Sequence, residues 1–452
     1  MIDSKAVVGK AILLLIALVL FVPNYKVHAF YGHNFNTTLR VGLIDRFNNR
    51  ASINVNNSAI FYGQSFLQSH SGGFTVRPYG NNIAIYDGSN RLRIIEPHVQ
   101  IRDGQGDMTL LDGVPFRGAI EFARLGSGIT AVNVISMEEY LFSVVPSEMP
   151  ATWHLEALKA QAVAARTYAM LMLSRGNSHV GFDVCNGVCC QVYRGAEWEN
   201  DRSTYAVLAT AGLAMFFNGE LIEAVYSASS GGFTENSENV WVEARPYLRS
   251  VSDPFEFEPV VWTRNFTMSQ ISQLLGRQAT GVSIGGHHPS GRVESLIIHY
   301  QGGSRVLQRE EIRTFFSPTA DGSLMSRNFT IGEVVPMPLP PPMPTDDTIV
   351  VYDGTLTHRL QPQGLYGIGA QGVVLMKSIT TTEGTVPQTQ GFTAAPTPQP
   401  SGVVHTGYNI TLHGRGFGHG VGMSQRGAEG MAQRGHTFRE ILTHFYSGIT
   451  IH

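Results

Sequence analysis

The chain has 452 residues, enough for one large domain or two ordinary ones. A formal net charge of −3, with only 15% of residues charged, gives no electrostatic basis for binding nucleic acid. The three cysteines all lie between positions 185 and 190, which excludes a disulfide framework for a chain of this size, and the 49 glycines indicate a protein rich in loops and strands.

The N-terminus is typical of a secretory signal peptide. Lys5 and Lys10 supply a positive start, residues 11–21 form an apolar run, and a small-residue cleavage pattern ends at Ala29. We therefore expect residues 1–29 to be removed from an exported protein of the periplasm, cell wall or extracellular space. The run is shorter than the roughly 20 residues that span a bilayer, although an uncleaved signal would leave the chain anchored in the membrane.

The fold class predicted is α+β, with a β-rich N-terminal part, a central long helix and a mixed α/β remainder. Residues 30–137 form the expected N-terminal module. Apolar or alternating runs between turn residues predict strands at 40–44, 51–55, 83–86, 91–95 and 129–135. Glu138 and Glu139 follow, and we expect them on a solvated surface.

The central stretch carries one carboxylate between two prolines. Pro146 and Pro150 each restrict the residue before them to extended conformations, which places Glu148 on a stiff loop rather than on a helix face. The helix after this loop is predicted by apolar and small residues at helical spacing, namely Leu155, Leu158, Ala162 and Ala165. Gly176 is its expected end.

We expect residues 138–334 and 405–452 to form one core domain, which contains further predicted elements. Residues 204–211 and 268–275 predict helices, Asn218-Gly219 predicts a hairpin turn, and 293–300 predicts a strand.

Residues 335–404 are expected to be a Pro-rich insertion. It contains a polyproline-type spacer at 336–344 and a Thr-, Gln- and Pro-rich stretch at 380–401, with apolar runs of a small β element at 348–377 between them.

Glycine then recurs at every second position of residues 414–422, which predicts a strand with one face free of side chains. Ser424 is the expected cap of a short helix, and Thr437 with Glu440 forms a capping box for a last helix.

Cysteine and histidine cluster after the long helix. His179, Cys185, Cys189 and Cys190 lie within 12 positions, and an imidazole with thiolates suits a tetrahedral zinc site that keeps a position open. The spacing is not that of a zinc finger. A disulfide between Cys185 and Cys190, or buried thiols, are the alternatives.

The remaining candidates are weaker when taken singly. Glu148 could be a surface glutamate, or neighbouring Met149 and Trp153 could desolvate it and raise its pKa, against the effect of the adjacent helix N-terminus. Residues 227–232 lack the Gly-x-Ser-x-Gly elbow of a nucleophile, and no Lys-Ser/Thr follows the late glycines. We therefore reject nucleotide binding.

Several stretches together resemble the SpoIID/LytB family of bacterial cell-wall proteins, which includes lytic transglycosylases and amidase enhancers. The matching stretches are VVPSEMPATWHLEALKAQAVAARTYA, DVCNGVCCQVYRG, YSASSGGFTENSENVW, SGRVESL and GRGFGHGVGMSQRGAEGMAQRG. The resemblance covers about 40–329 and 411–452 and implies that Glu148 is the catalytic acid/base. It also implies zinc at His179, Cys185 and Cys190. Cys189 and Tyr226 stand where many relatives carry His.

These observations predict an exported lytic transglycosylase. Glu148 would act between the N-acetylmuramic acid and N-acetylglucosamine units of peptidoglycan and leave 1,6-anhydro ends. A groove formed by the Glu148 loop, residues 227–235 and residues 414–422 would bind the glycan strand. Its expected substrate-binding residues are Ser229, Ser230, Thr234, Arg415, His419 and Gln425. Aromatic residues available for stacking are Trp153, Tyr168, Trp241 and Phe417.

Two other functions are compatible with the same residues. The chain could be a non-catalytic peptidoglycan-binding protein that stimulates a cell-wall amidase as its partner, and Tyr226 in place of His favours this alternative. It could also be a metal-dependent peptidase that uses the zinc site itself. Each alternative predicts different products from a cell-wall sacculus.

Overall fold

The computed structural model describes residues 37–57, 59–62, 67–70, 72–103, 108–176, 179–332, 349–352, 357–360 and 402–452. The expected signal peptide and most of the expected insertion lie outside the described residues. Within the described residues, helices and sheets occur together in an α+β fold, as predicted. No helix among them combines the length and apolar character needed to cross a membrane.

Two sheets build the N-terminal part. Their strands are β1 (Thr38–Gly42), β2 (Ile53–Val55), β3 (Ala59–Tyr62), β4 (Leu67–His70), β5 (Phe74–Tyr79), β6 (Asn82–Asp87), β7 (Leu92–Glu96), β8 (Val99–Asp103), β9 (Met108–Leu111), β10 (Val114–Arg117), β11 (Ala119–Ala123), β12 (Thr130–Ser136) and β13 (Val184–Cys185). One sheet has the order β13-β1-β12-β11-β8-β3-β4 and the other β10-β9-β2-β5-β6-β7. The five predicted strands are all present.

Side-chain alternation explains why these strands form a core. In β2, Ile53 and Val55 are buried and Asn54 between them is exposed, because successive side chains of a strand point to opposite faces. Strand β13 comes from the chain after the long helix and pairs in parallel with β1, with Cys185 opposite Gly42. The cysteine segment is thereby fixed to the edge of the sheet.

Four helices follow in the first half of the chain, α1 (Ile44–Phe47), α2 (Met137–Glu148), α3 (Leu155–Arg175) and α4 (Asp201–Ala209). Helix α3 confirms the predicted long helix, and α4 lies close to the predicted 204–211. Buried alanines along α3, such as Ala157 and Ala160, let neighbouring helices approach closely. Gly176 ends α3 with φ +68°, a conformation that side chains disfavour.

The predicted loop around Glu148 is wrong in its conformation. Helix α2 continues through Pro146, and Glu148 is its last residue. The helical pattern continues beyond the proline because the backbone N–H of Met149 still donates to the carbonyl of Val145 at 2.9 Å. Pro150 then ends the helix, since it confines Met149 to an extended conformation, here with φ −138° and ψ 132°.

Glu138 also differs from the prediction, because it is buried rather than solvated. Its two carboxylate oxygens accept from Nε and Nη2 of Arg166 at 2.9 and 2.6 Å. Arg166 is 1% exposed and Glu138 8% exposed, so this pair joins α2 to α3 inside the core. Burial of both charges is compatible with the fold because the paired geometry satisfies each of them.

A hairpin and a short helix follow, built by β14 (Met215–Phe217), β15 (Glu220–Leu221), β16 (Tyr226–Ser227) and α5 (Glu238–Trp241). Asn218 and Gly219 both have positive φ, 51° and 81°, which is the backbone of the predicted two-residue hairpin turn.

The next part of the chain has a second core. Its elements are β17 (Val261–Thr267), α6 (Met268–Leu275), β18 (Ala279–His287), β19 (Val293–Tyr300), β20 (Gly303–Gln308), α7 (Glu311–Thr314) and β21 (Phe329–Ile331), followed by the hairpin β22 (Ile349–Tyr352) and β23 (Thr357–Leu360) and by β24 (Asn409–Arg415). Sheets β18-β19-β20 and β17-β24-β21 enclose it. The predicted helix 268–275 and strand 293–300 are confirmed.

The chain closes with β25 (Met423–Ser424), α8 (Gln425–Gln433), α9 (Phe438–Phe445) and β26 (Thr450–Ile451). Ser424 caps α8 by accepting from the Gly427 N–H, and the predicted capping box of Thr437 and Glu440 is present at α9. Strand β25 pairs in parallel with β16, so the last part of the chain meets residues 226–227.

The glycine-rich stretch is only in part the predicted strand. Strand β24 ends at Arg415, and Gly416, Gly418, Gly420 and Gly422 have φ values of 80°, 105°, 79° and 72°. This is a loop rather than a strand, because a strand requires negative φ at every residue. Glycine recurs at every second position because every second residue of this loop has a positive φ, which glycine adopts most readily.

Candidate active site

Glu148 lies at the C-terminal end of α2 with a partly exposed side chain. Its Oε1 accepts a hydrogen bond of 2.7 Å from the backbone N–H of Val192. Burial raises the pKa of this carboxyl, and the Val192 N–H, the Tyr226 hydroxyl and the Arg194 guanidinium oppose that shift only in part. The carboxyl therefore keeps its proton to a higher pH than a free glutamate, while its ionised form still has donors.

A buried chain of hydrogen bonds directs the Tyr226 hydroxyl to that carboxylate. The Gln191 side chain is 3.2 Å from the carbonyl of Ala165, which only accepts, so the atom facing it is the amide nitrogen. The Gln191 oxygen then accepts from the Tyr140 hydroxyl at 3.1 Å, and its nitrogen also donates to Tyr226 at 3.2 Å. The Tyr226 proton is thus left free to point at Glu148.

Tyr226 stays a hydrogen-bond donor over the whole physiological range. Burial, together with the nearby charge of Glu148, raises the pKa of Tyr226 well above its usual value. Tyr226 therefore stabilises the ionised form of Glu148 without titrating itself.

Gln425, the first residue of α8, reaches Glu148 from the C-terminal part of the chain. Its side-chain nitrogen donates to the backbone carbonyl of Glu148 at 3.0 Å and to the side-chain oxygen of Gln161 at 3.2 Å. Gln425 is 6% exposed. In this structure it holds the end of α2 against α3 and α8.

Loop 227–235 lies beside the same place, but its hydroxyls face inward. Ser229 and Ser230 are 0% exposed and Thr234 is 1% exposed. Ser229 donates to Glu256 at 2.7 Å and Ser230 to Asp253 at 2.8 Å. These three side chains offer no surface to a ligand, so the predicted direct contact with substrate is replaced by support of the loop from within.

Asp253 and Glu256 form a close carboxylate pair under this loop. Burial, and next the charge of Glu256, raise the pKa of Asp253 to about 7. Glu256 also accepts from the backbone N–H of Gly231 at 3.1 Å. The pair therefore ties residues 229–231 to the segment that follows α5.

Arg292 holds the other side of the loop. It is fully buried, and its Nη1 and Nη2 donate to the carbonyls of Phe233 and Ser230 at 2.7 and 2.6 Å. A Cβ at Gly420 would collide with this guanidinium. The glycine-rich loop can pack here only because position 420 has no side chain.

His419 is placed by stacking and by backbone contacts. Its ring centroid lies 4.8 Å from that of Trp241, and its Nδ1 accepts from the Val421 N–H at 3.0 Å. Burial, followed by the charges of Arg313 and Arg292, lowers the pKa of His419 to about 3. His419 is therefore neutral near pH 7, and it also hydrogen-bonds the backbone of Tyr226.

Arg415 and the exposed aromatic residues complete this face. Arg415 is half-buried, and desolvation lowers the pKa of its guanidinium while Glu256 opposes the shift. Phe417 is 47% and Trp241 41% exposed, whereas Trp153 and Tyr168 are half-buried. Phe417 and Ser229 exchange backbone hydrogen bonds of 3.1 and 2.9 Å, which joins the glycine-rich loop to loop 227–235.

The His/Cys cluster lies next to the Glu148 contact. One ligand atom from each of His179, Cys185, Cys189 and Cys190 can be chosen so that all lie within 4.8 Å of one another. Nε2 of His179 is 3.1 Å from Sγ of Cys190, and burial raises the pKa of the Cys190 thiol. Soft sulfur and imidazole donors at this spacing fit a tetrahedral zinc ion.

The structure joins Cys185 to Cys189 in a disulfide, and Cys190 is free. The predicted alternative pairing of Cys185 with Cys190 is therefore wrong. Cys190 contacts His179 instead, with its Sγ 3.1 Å from Nε2 of the imidazole. Zinc binding through Cys185 requires the reduced state of this bond.

Sequence reasoning missed two contributors to the site. Val192 acts through its backbone N–H, a group that every residue except proline has, so its residue type does not predict the role. Gln191 acts through its side-chain amide, and its role can be recognised only when the positions of Tyr140 and Tyr226 are known. Both lie in the stretch DVCNGVCCQVYRG, which already carried the family resemblance. That resemblance was the available signal.

The sequence of this chain is similar to that of known bacterial proteins. The family model described as stage II sporulation protein, SpoIID, matches residues 126–217. The stage II sporulation protein D of Bacillus subtilis is 30% identical over 343 residues, which are 71% of this chain and 76% of that protein.

Two further relatives have a similar level of identity. An uncharacterized protein of Brachyspira hyodysenteriae is 28% identical over 350 residues, covering 75% of this chain and 73% of that protein. The amidase enhancer of Bacillus subtilis is 29% identical over 392 residues, covering 83% of this chain. The match spans 48% of the amidase enhancer, about half of its length.

Proposed function

Because this chain belongs to the stage II sporulation protein D family, we propose that it acts on the bacterial cell wall as an exported lytic transglycosylase. The observation that supports this most is the environment of Glu148. One partly exposed carboxylate with a raised pKa is held by the Val192 N–H and faced by the Tyr226 hydroxyl. A group of this kind can donate a proton and take it back.

The proposed reaction uses Glu148 twice. Protonated Glu148 gives its proton to the oxygen between N-acetylmuramic acid and N-acetylglucosamine, and the bond from that oxygen to the muramic C1 breaks. The ionised carboxylate then takes the proton of the muramic 6-hydroxyl as O6 bonds to C1. The products are a 1,6-anhydro-muramic end and a free 4-hydroxyl, and Glu148 is protonated again.

This chemistry needs no second carboxylate, whereas ordinary glycoside hydrolysis uses two. Within the described part of the chain, the groups that act on Glu148 are a backbone N–H, a tyrosine hydroxyl and a guanidinium, and no carboxylate is among them. Attack by a hydroxyl of the same sugar also removes the requirement for a positioned water.

The surrounding residues would orient the glycan strand. Trp241 and Phe417 present exposed rings for stacking, and Arg415 lies two residues before Phe417 at the end of β24. His419, neutral and in tilted contact with Trp241, would hold that ring rather than transfer protons. We keep Gln425 as a residue that positions Glu148 through its backbone carbonyl.

We also propose zinc at His179, Cys185 and Cys190, with Cys189 as a third sulfur beside them. The ion would supply a structural cross-link between β13 and the chain after it. Val192 follows this cluster by two residues, so the cluster fixes the backbone that donates to Glu148.

The test is purified protein on cell-wall sacculi, with mass spectrometry of the released fragments. We expect anhydro-muropeptides from the wild type, none from Glu148→Gln, and unchanged release from Glu220→Gln, an exposed control on the hairpin. Reducing ends would show hydrolysis instead. Release that survives Glu148→Gln but is lost with chelators would indicate the metal-dependent peptidase.

The second candidate is a non-catalytic enhancer of a cell-wall amidase. It is supported by the similarity to a protein named amidase enhancer and by Tyr226, which cannot exchange protons as a histidine can. In that case the protein would bind sacculi, release no sugar fragments and increase the activity of an added amidase.

A further inference from the structure

A cavity of about 400 Å³ lies against the segment whose backbone donates to Glu148. Its walls come from the chain around α1, from β10 and from residues 186–198. Phe47, Phe116, Tyr193 and Trp198 line it with aromatic surface. The volume falls within the range of small-ligand sites, about 300–1,000 Å³.

The cavity is linked directly to the candidate acid. Val192 lines the cavity, and its N–H is the 2.7 Å donor to Glu148. Arg194 also lines it, and its charge lowers the pKa of Glu148. A ligand in the cavity would therefore contact the same residue, Val192, whose N–H donates to the carboxylate.

Trp198 is held in place although it is exposed. Its turn, Ala196–Trp198, follows Gly195, whose φ of +85° lets the backbone pass against Phe116. Directly after the turn, Glu199 accepts from Arg117 through two bonds of 2.7 and 2.8 Å. A paired contact of this kind fixes the turn to β10.

The Trp198 ring is partly available to a ligand. The Arg194 guanidinium lies 4.0 Å from the ring centroid, and Trp198 is nevertheless 44% exposed. This cation–π contact keeps the guanidinium beside the ring, where its five N–H donors are available to a ligand.

Three charged side chains at the rim are available to a ligand. In the part of the chain that the structure describes, neither the Asp45 and Glu197 carboxylates nor the Arg194 guanidinium forms a side-chain hydrogen bond or ion pair. Asp45 and Asn186 are nevertheless fixed, because the Asp45 N–H donates to the Asn186 oxygen at 3.1 Å.

This combination favours a sugar over an anion or an apolar ligand. Aromatic rings pack on the C–H face of a pyranose, and carboxylates accept from its hydroxyls. Arg194 can donate to the oxygen of an acetamido group. Two carboxylates and two guanidinium groups, those of Arg46 and Arg194, line the cavity, so their charges balance and do not select an anion.

We propose that this cavity is a saccharide subsite that binds one N-acetylated hexosamine of the glycan strand, next to the bond at Glu148. The assignment rests on the proposed action on glycan. Trp198 provides the stacking surface and Arg194 the donor to the acetamido oxygen. The β-rich N-terminal part thereby contributes the exposed Asp45 to substrate recognition.

The test is the binding of a soluble N-acetylglucosamine tetramer to the full chain carrying Glu148→Gln, which prevents turnover. Calorimetry should show binding at least about fivefold weaker for Trp198→Ala and for Arg194→Met. Tyr408→Ala, which removes an exposed ring far from the cavity lining, should bind unchanged. Thermal unfolding should confirm that Trp198→Ala is folded.

Equal affinity of the Trp198→Ala and parent proteins for the tetramer would overturn the subsite. So would binding of a peptide stem without its sugar, but not of the tetramer, through Trp198. The proposed reaction fails separately: if sacculi release no anhydro products while Trp198→Ala still weakens tetramer binding, the subsite stands and the enzymatic proposal falls.

Discussion

The backbone N–H of Val192 lies 2.7 Å from Oε1 of Glu148. These two residues come from different parts of the fold, the end of α2 and the chain just after the His/Cys cluster. The geometry of the carboxylate therefore depends on how residues 185–192 are held. A substitution in the His/Cys cluster should therefore change the position of the Glu148 carboxylate through residues 191 and 192, although the cluster does not contact Glu148 directly.

The first prediction concerns the metal. Protein purified under reducing conditions should contain about one zinc ion per chain, and His179→Ala should bind much less. Amide hydrogen exchange at Val192 should then become faster and glycan cleavage weaker, because the donor to Glu148 is no longer fixed. Slow exchange at Val192 in metal-free, active protein, together with a mapped Cys185–Cys189 disulfide, would show that the disulfide holds the segment instead.

The second prediction is that Glu148→Gln stabilises the protein at neutral pH. Burial raises the pKa of Glu148 in the folded state above its unfolded value, so the wild type loses stability as pH rises through the folded pKa. Below the unfolded pKa, about 4.3, the two proteins should unfold at similar temperatures. At pH 8 the variant should have the higher Tm.

Glutamine suits this comparison because its oxygen can still accept from Val192. The exposed Glu220→Gln should show no such pH-dependent difference. A Glu148→Gln protein that is less stable than the wild type at pH 8 would mean that the ionised carboxylate is favoured by its donors more than burial opposes it.

The third prediction concerns Tyr226→Phe. The Tyr226 hydroxyl lowers the pKa of Glu148, so its removal should raise that pKa further. A general acid acts in its protonated form, so the alkaline limb of the pH–rate profile should move to higher pH. The Val192 N–H and the Arg194 guanidinium remain in the variant, and both still lower the pKa of Glu148.

The matched control is Tyr205→Phe on α4, a tyrosine 58% exposed to solvent. Its profile should coincide with that of the wild type. An alkaline limb that stays in place or moves to lower pH in Tyr226→Phe would contradict a direct hydrogen bond from Tyr226 to the carboxylate.

The fourth prediction concerns the buried pair of Glu138 and Arg166. Glu138→Gln leaves the Arg166 charge without a counter-charge in the core, so the free energy of unfolding should fall by about 3–5 kcal/mol in denaturant titrations. Glu311→Gln breaks the exposed pair with Arg305 and should change it by less than about 1 kcal/mol. Similar small losses for both variants would show that Arg166 is satisfied by backbone carbonyls alone.

The fifth prediction compares two glycines with positive φ. Gly420→Ala would place a Cβ against the buried Arg292 guanidinium, whereas Gly435→Ala meets no atom within 4 Å. An alanine with positive φ costs about 1 kcal/mol at either position. The additional loss of unfolding free energy in Gly420→Ala therefore measures the cost of the contact with Arg292. If Gly420→Ala unfolds and cleaves glycan like Gly435→Ala, Arg292 can move and does not fix the loop.

Sequence patterns were most informative where structure is local. The long helix α3, the turn at Asn218-Gly219 and the capping box at Thr437 all depend on residues a few positions apart, and all were predicted. The predicted loop conformation of Glu148 was wrong, because Pro146 is tolerated when the helical hydrogen bonds continue beyond it.

Features that depend on distant partners could not be predicted. Glu138 has the composition of a surface residue, and only Arg166 on another helix makes its burial possible. Ser229 and Ser230 resemble exposed loop hydroxyls until Glu256 and Asp253 are placed beneath them. The glycine spacing at 416–422 fits a strand or a series of left-handed turns equally well, and the packing against Arg292 decides between them.

The hydrogen bond from Gln425 to Glu148 spans 277 positions, and β25 pairs with β16 across a similarly long stretch of chain. Contacts so far apart in sequence form late, because a large loop must close before they are made. A nascent or partly translocated polypeptide therefore carries Glu148 long before it carries the residues that orient it. Competence to cut glycan would arise only after Gln425 has emerged and packed against the end of α2.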